Sequence, residues 1–255
     1  MATVLAATSQ AWLRASRLTL ALAIIASLAE ILAGPGYRFG WWNLGVGLTT
    51  MRTSATASAV LLVLAIGGIV LARLRQGLGS RTQALFFSAA LVSSLATIPP
   101  GIFWYRSHGL PRIHDITTDM DHPPAFVAVL PLRKGARNST VYDPATAVQQ
   151  KSGYADIAPV ELRAAPARAF EASARIARSM GWEVAAVVPD DMRLEATATS
   201  LLFGFKDDIS IRITPHGEGS RVDIRSLSRV GGSDFGTNAN RIRAFIKELD
   251  DENLQ

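Results

Sequence analysis

The run Glu195–Phe245, EATATSLLFGFKDDISIRITPHGEGSRVDIRSLSRVGGSDFGTNANRIRAF, decides the fold of this chain. Over Met192–Ser200, Leu194, Ala196 and Ala198 alternate with Glu195, Thr197 and Thr199. Over Asp207–Thr214, Ile209, Ile211 and Ile213 alternate with Ser210 and Arg212, and Val222 and Ile224 continue the pattern over Arg221–Ser228. An apolar residue at every second position predicts strands with one buried face. Pro215-His216-Gly217-Glu218-Gly219 predicts the hairpin turn between the second and third of these strands. Beyond them, Phe235, Ala239, Ile242, Phe245 and Leu249 fall on one helical stripe, which predicts a last helix from about Ser233 with that serine as N-cap.

Upstream, Trp182–Val188 reads as a further strand ending at the turn Pro189-Asp190-Asp191. Before it, Phe170, Ser173, Ala174, Ala177 and Met180 share one face of a helix that Pro166 opens and Gly181 closes. Val160–Arg163 is a short strand. The order β-α-β-β-β-β-α predicts an α+β domain over residues 154–255, a four- to five-stranded antiparallel sheet with two helices on one face.

The first 105 residues have a different character. The whole chain is 49% hydrophobic with mean hydropathy +0.21, and its apolar residues concentrate here. Residues 1–105 read as a membrane domain with three transmembrane helices, spans at about 18–36, 55–72 and 84–105. Crossing ~30 Å of hydrocarbon takes ~20 apolar residues, and the runs Ala55–Ala72 and Ala84–Tyr105 carry no charge. The first run, Leu18–Ala33, follows Arg14 and Arg17 like a signal peptide, but it lacks a small-x-small cleavage site and further apolar runs follow, so it reads as a retained helix. Pro99-Pro100 is expected to kink or end the third helix, and residues 37–50, with Trp41 and Trp42, read as an interfacial loop. Glu30 is the only acidic residue inside a span; its position near the helix end favours reach to the interface over a proton relay.

Charge divides the same way. Residues 1–105 carry seven Arg and one Glu, and residues 106–255 carry 19 Lys+Arg against 20 Asp+Glu. The basicity belongs to the loops that flank the helices, and the soluble domain has no patch to engage phosphates, so no nucleic acid is expected as a partner. Arg14, Arg17, Arg73, Arg75 and Arg81 on one side, against Arg38, Arg52, Arg106 and Arg112 on the other, set the N-terminus inside the cell. An odd number of spans then sends the C-terminal domain to the periplasmic side of an inner (plasma) membrane. The chain has no cysteine, which excludes disulfides, thiolate metal sites and cysteine nucleophiles.

Residues 106–153 read as junction and linker. His114, Asp115, Asp119 and His122 are weak metal candidates, because imidazole and carboxylate suit zinc or iron, yet their spacing matches no familiar zinc pattern. Asp and Thr beside Pro also form ordinary turns, which is the favoured reading.

The segments Tyr154–Pro159, Met180-Gly181-Trp182, Glu195–Thr199, Phe203–Asp208, Ser220–Asp223, Arg225-Ser226 and Asn240–Arg243 together resemble the domain-of-unknown-function family numbered 1499. Ile113–Asp119 resembles the lead-in of its membrane-tethered members. The likeness covers roughly residues 112–248 and implies a family without implying an activity.

For ligand binding, the candidates are Lys206, Asp207, Asp208, Arg229, Asp234, Asn238 and Arg241, with Asp115 and Asp119 from the lead-in. They suit either a pocket for a small anionic ligand, with Arg229 and Arg241 as donors, or a charge network that fixes the last helix on the sheet; the network is favoured. No GxSxG, phosphate-cradling glycine loop or acid/base pair is present, so no catalytic residue is assigned and no cofactor is expected. The reading that results is a membrane-anchored, non-enzymatic binding or interaction module facing the periplasm, which docks a protein partner in the envelope or senses a ligand beside the membrane. The alternative is a lipid- or metabolite-handling enzyme using the His/Asp lead-in and Lys206-Asp207-Asp208.

Overall fold

The structure, a computed structural model, describes residues 2–74, 79–252 and 254. It divides into two compact units, residues 1–108 with 202–204, and residues 109–201 with 205–255. In the first unit, α1 (Ala2–Arg38), α2 (Leu44–Leu74) and α3 (Ser80–Ser107) pack against one another. Each is long and apolar enough to cross a membrane.

These helices run further than their apolar stretches. α1 runs through Gly34-Pro35-Gly36 to Arg38, past the expected span end at about 36, and the Phe39 N–H continues the ladder to the Pro35 carbonyl (2.8 Å); Gly40, at φ +75, follows the helix end. Residues 44–50, expected in an interfacial loop, form the first turns of α2, whose start is capped by Asn43 Oδ1 accepting from the Val46 N–H (3.0 Å). Arg52 consequently lies inside α2 instead of in a loop. Pro99 and Pro100 sit within α3, which continues to Ser107. Each proline removes one N–H donor, a loss that spanning helices tolerate when their neighbours support them. Arg75 of the basic loop lies outside the described residues.

The second unit is α+β. Its elements are β1 (Asp115–Thr117), α4 (Pro144–Gly153), β2 (Val160–Leu162), α5 (Pro166–Ser179), β3 (Glu183–Val188), β4 (Arg193–Thr199), β5 (Lys206–His216), β6 (Gly219–Ser228) and α6 (Thr237–Asp251). The strands form one six-stranded antiparallel sheet in the order β1-β6-β5-β4-β3, with β2 also on β6. The alternating residues do what their period requires: Leu194, Ala196, Ile209, Ile211, Val222 and Ile224 are buried in one core with Phe170, Ile242 and Phe245 from α5 and α6. Trp182 stacks on Phe245, ring centroids 5.7 Å apart. Gly217 at φ +58 starts the two-residue turn between β5 and β6, a conformation that suits glycine.

Three elements differ from the sequence reading. β1 is an extra strand of three residues, held by its register with Arg225–Leu227 and by Gln150 of α4. The Gln150 amide donates to the Thr117 carbonyl (2.6 Å) and accepts the Thr117 N–H (3.1 Å), standing in for a neighbouring strand. α4 itself falls in the expected linker, with Asp143 as its cap and Pro144 at its first position. α6 starts at Thr237, four residues later than expected, because Asp234, and not Ser233, accepts the amides of Gly236 (2.9 Å) and Asn238 (2.8 Å).

Candidate functional site

Asp207 and Asp208 are neighbours in a strand, so their side chains leave opposite faces of the sheet. This separates the predicted site into two clusters. On the helix face, Asp207 accepts from Arg241 Nη2 (2.7 Å). Arg241 Nη1 also donates to Ser226 Oγ (2.9 Å) and to Asn238 Oδ1. Asn238 is fully buried, and its amide donates to the His114 carbonyl (3.0 Å) and Ser228 Oγ (3.0 Å). Burial raises the Asp234 carboxyl above the usual range, and nearby Asp207 adds to the rise against the two amides it caps.

The opposite face carries more charge. Residues 118–143 cross it, with Phe126 and Val129 packed on Leu227. Asp208, wholly buried, accepts from Arg229 Nη2 (2.7 Å), Thr197 Oγ1 (2.8 Å) and Arg133. Glu195, also wholly buried, takes the successive backbone amides of Val127 (2.9 Å), Ala128 (3.0 Å) and Val129 (3.0 Å), together with Arg193. Asp115 forms a two-pronged pair with Arg225, Nε to Oδ1 at 2.9 Å and Nη2 to Oδ2 at 2.6 Å. The Arg225 guanidinium further donates to the Thr140 carbonyl (2.9 Å) and lies over the rings of Phe126 (4.9 Å) and Tyr142 (5.4 Å). Burial, with the Asp115 charge, pushes the Tyr142 hydroxyl up to about 12.

Asp119 and Asp223 share two arginines. Arg212 Nη2 reaches each at 2.9 Å, and Arg221 Nη2 reaches Asp119 at 2.9 Å and Asp223 at 3.1 Å. Partial burial opposes the charge of Asp119, but the His122 amide and the two guanidiniums outweigh it and hold the carboxyl below the usual range.

The structure thus brings together only some of the predicted site residues. Asp208 and Arg229 meet on one face; Asp207, Arg241 and Asn238 meet on the other. Lys206 joins neither cluster: it is exposed, with Glu183 4.0 Å away. Among the four metal candidates, Asp115 and Asp119 are engaged by arginines, His114 takes part through its carbonyl, and His122 through its backbone amide (2.8 Å to Asp119). Among the described residues no three His, Asp or Glu side chains are grouped as metal ligands. Sequence reasoning left Arg225, Glu195, Asp223 and Arg133 out of the site. The first three sit at the outward positions of the alternating strands, which was a usable signal; Arg133, inside a 3₁₀ turn Leu130–Arg133, gave none.

Away from both clusters, a groove of about 480 Å³ lies along α5 and β3, floored by Phe170, Ala174, Val187 and Met192 and bordered by Arg175 and Arg178. β3 is the sheet's end strand and pairs on one side, with β4.

A search of the curated proteins finds no match. The family model described as "Protein of unknown function (DUF1499)" matches residues 115–249, from β1 through most of α6 and across both charge clusters. The chain belongs to the DUF1499 family, as a member with three helices able to span a membrane.

Proposed function

We propose that this protein is a membrane-anchored, non-enzymatic interaction module whose soluble domain faces the periplasm and docks a protein partner. The observation that carries this reading is the engagement of the sheet's carboxylates. Asp115, Glu195, Asp207, Asp208 and Asp223 each hold an arginine. Each such pair engages the carboxylate oxygens and fixes strands and covering segments in register. Their division between two sheet faces also weakens the alternative, an enzyme that would need Asp115 and Asp207 in one enclosed site.

The surface suited to a partner is the α5–β3 margin. An extended apolar segment could add to the outer edge of β3 and seat side chains against Val187 and Met192, with Arg178 receiving an acidic residue. The periplasmic side is supported by Arg14, Arg17, Arg73 and Arg81 lying toward the opposite helix ends from Arg38, Arg52 and Arg106. A photo-crosslinking residue at Val187, in living cells, is expected to give one discrete protein adduct. The same residue at exposed Val141 is expected to give none. Equal capture at both positions, or at neither, contradicts the reading.

A further inference from the structure

Inside the helix unit, a layer of polar side chains lies where apolar ones would be expected. Ala23, Ala26 and Leu61 form one buried cluster, with Val92 packed against it, and this fixes the relative heights of α1, α2 and α3. The layer lies beside that cluster, toward the Arg38 end. Glu30 is four residues beyond Ala26, about 6 Å along the axis. Ser58 is three residues from Leu61 on the returning helix, about 4.5 Å in the same direction. Ser93 adjoins Val92, and Thr97 is one turn further, again about 6 Å.

Glu30, Ser58 and Ser93 lie on inward stripes; Ser58 and Ser93 are buried, Glu30 and Thr97 half-buried. Glu30 falls between buried Ala26 and Ala33 at helical spacing, Ser58 between buried Ser54 and Leu61, and Ser93 between buried Ala89 and Ala96. Ser58 and Ser93 are 0% exposed. Helical side chains lean toward the N-terminus, which carries the Glu30 carboxyl back toward the level of the two serines.

The hydroxyls of this layer behave unlike others on the same helices. Those of Thr19, Ser27, Thr53 and Thr56 bond to carbonyls four residues back at 2.8–2.9 Å. Ser58 Oγ, Ser93 Oγ, Thr97 Oγ1 and Glu30 Oε2 are buried and make no hydrogen bond among the described residues. A buried polar atom without a partner costs about 1–3 kcal/mol, and here such atoms come from all three helices within about 6 Å along the helix axes.

We propose that Glu30, Ser58, Ser93 and Thr97 form an intramembrane site for a monovalent cation that exchanges with a proton. The donors are all oxygen, which suits a hard cation rather than a transition metal. One carboxylate supplies one negative charge, so a monovalent ion leaves the site neutral, whereas a divalent ion leaves a charge stranded in hydrocarbon. No arginine competes for the carboxylate from the facing helices: Arg52 points from the opposite side of α2 and is exposed, and Arg73, Arg81 and Arg106 lie near helix ends. On α1 itself, Arg38 is eight residues away and Arg17 and Arg14 lie beyond the Ala23 layer.

The test uses the full chain in liposomes and the apolar reagent dicyclohexylcarbodiimide. A protonated carboxyl adds across a carbodiimide C=N bond, giving an O-acylisourea that rearranges to a stable N-acylurea; a carboxylate holding a cation does not. Mass spectrometry should find the adduct on Glu30 in choline chloride, suppressed about tenfold by sodium chloride at the same pH and ionic strength, with lithium and potassium run alongside. Ser58→Ala and Thr97→Val should each raise the sodium concentration for half-protection about tenfold, while Thr53→Val should leave it unchanged. Labelling that no monovalent cation reduces, absence of labelling in every salt, or equal effects of the Thr53 and Ser58 variants would each overturn the site.

Discussion

Arg225 shows at one residue why the charged sheet face is a lock. Its guanidinium is almost fully buried, holds Asp115 by two parallel bonds and binds two backbone carbonyls of the covering segment. Removing one member of such a pair leaves the other charge buried, at a cost of about 3–5 kcal/mol; replacing both by apolar residues of similar size is far milder. Arg225→Ala in the full chain is therefore expected to speed hydrogen exchange of β6 amides markedly, and Asp115→Leu with Arg225→Leu to restore much of the protection. A double variant as labile as the single one would refute this account. Asp119 adds a pH dependence. Its folded carboxyl is held below its ordinary value of 3.8, so its stabilising contribution is complete above that value and lost as pH falls through the lower folded one. Asp119→Asn should flatten the acid limb of a melting-temperature profile below about pH 4, and superimposable limbs would count against the pairing. Asp234 has the opposite sign: its raised carboxyl favours the protonated fold, so stability declines as pH rises from 3.8 to the folded value and is level beyond it.

At the scale of elements, Gln150 does the work of a missing strand. Thr117 is fully buried, and both of its backbone groups depend on the Gln150 side chain. Gln150→Ala should cost about 1–3 kcal/mol, seen as faster hydrogen exchange at Thr117 with β4 and β5 little changed. Unaltered exchange at Thr117 would mean that another group holds β1. This element also marks the limit of what sequence made legible. β3–β6 and α5 were readable to within a few residues, because period-two alternation, Pro166 and Gly181 are local signals. β1 and α4 were not, because β1 exists through partners 33 and more than 100 residues away and its three residues have no period of their own. The division of Asp207 from Asp208 was available in principle, since consecutive strand residues face opposite ways. Reading the two as one cluster merged what the sheet separates.

For the whole molecule, the family match runs from β1 through most of α6, and the three helices before it are each long and apolar enough to cross a membrane. Because the chain has no cysteine, Ser139→Cys offers a clean probe of sidedness. A membrane-impermeant maleimide is expected to label it once the outer face of the membrane is exposed, without lysis; labelling only after lysis would place the domain in the cytoplasm. The most direct test of the central reading is native mass spectrometry with metal analysis of the full chain, released from its own membrane in mild detergent. The account predicts a complex with a protein partner that Val187→Arg dissociates, and no bound metal or small molecule that depends on Asp115 or Asp207. A metal or small molecule that is lost on Asp115→Ala or Asp207→Ala would contradict it and turn these carboxylates from a lock into a ligand site.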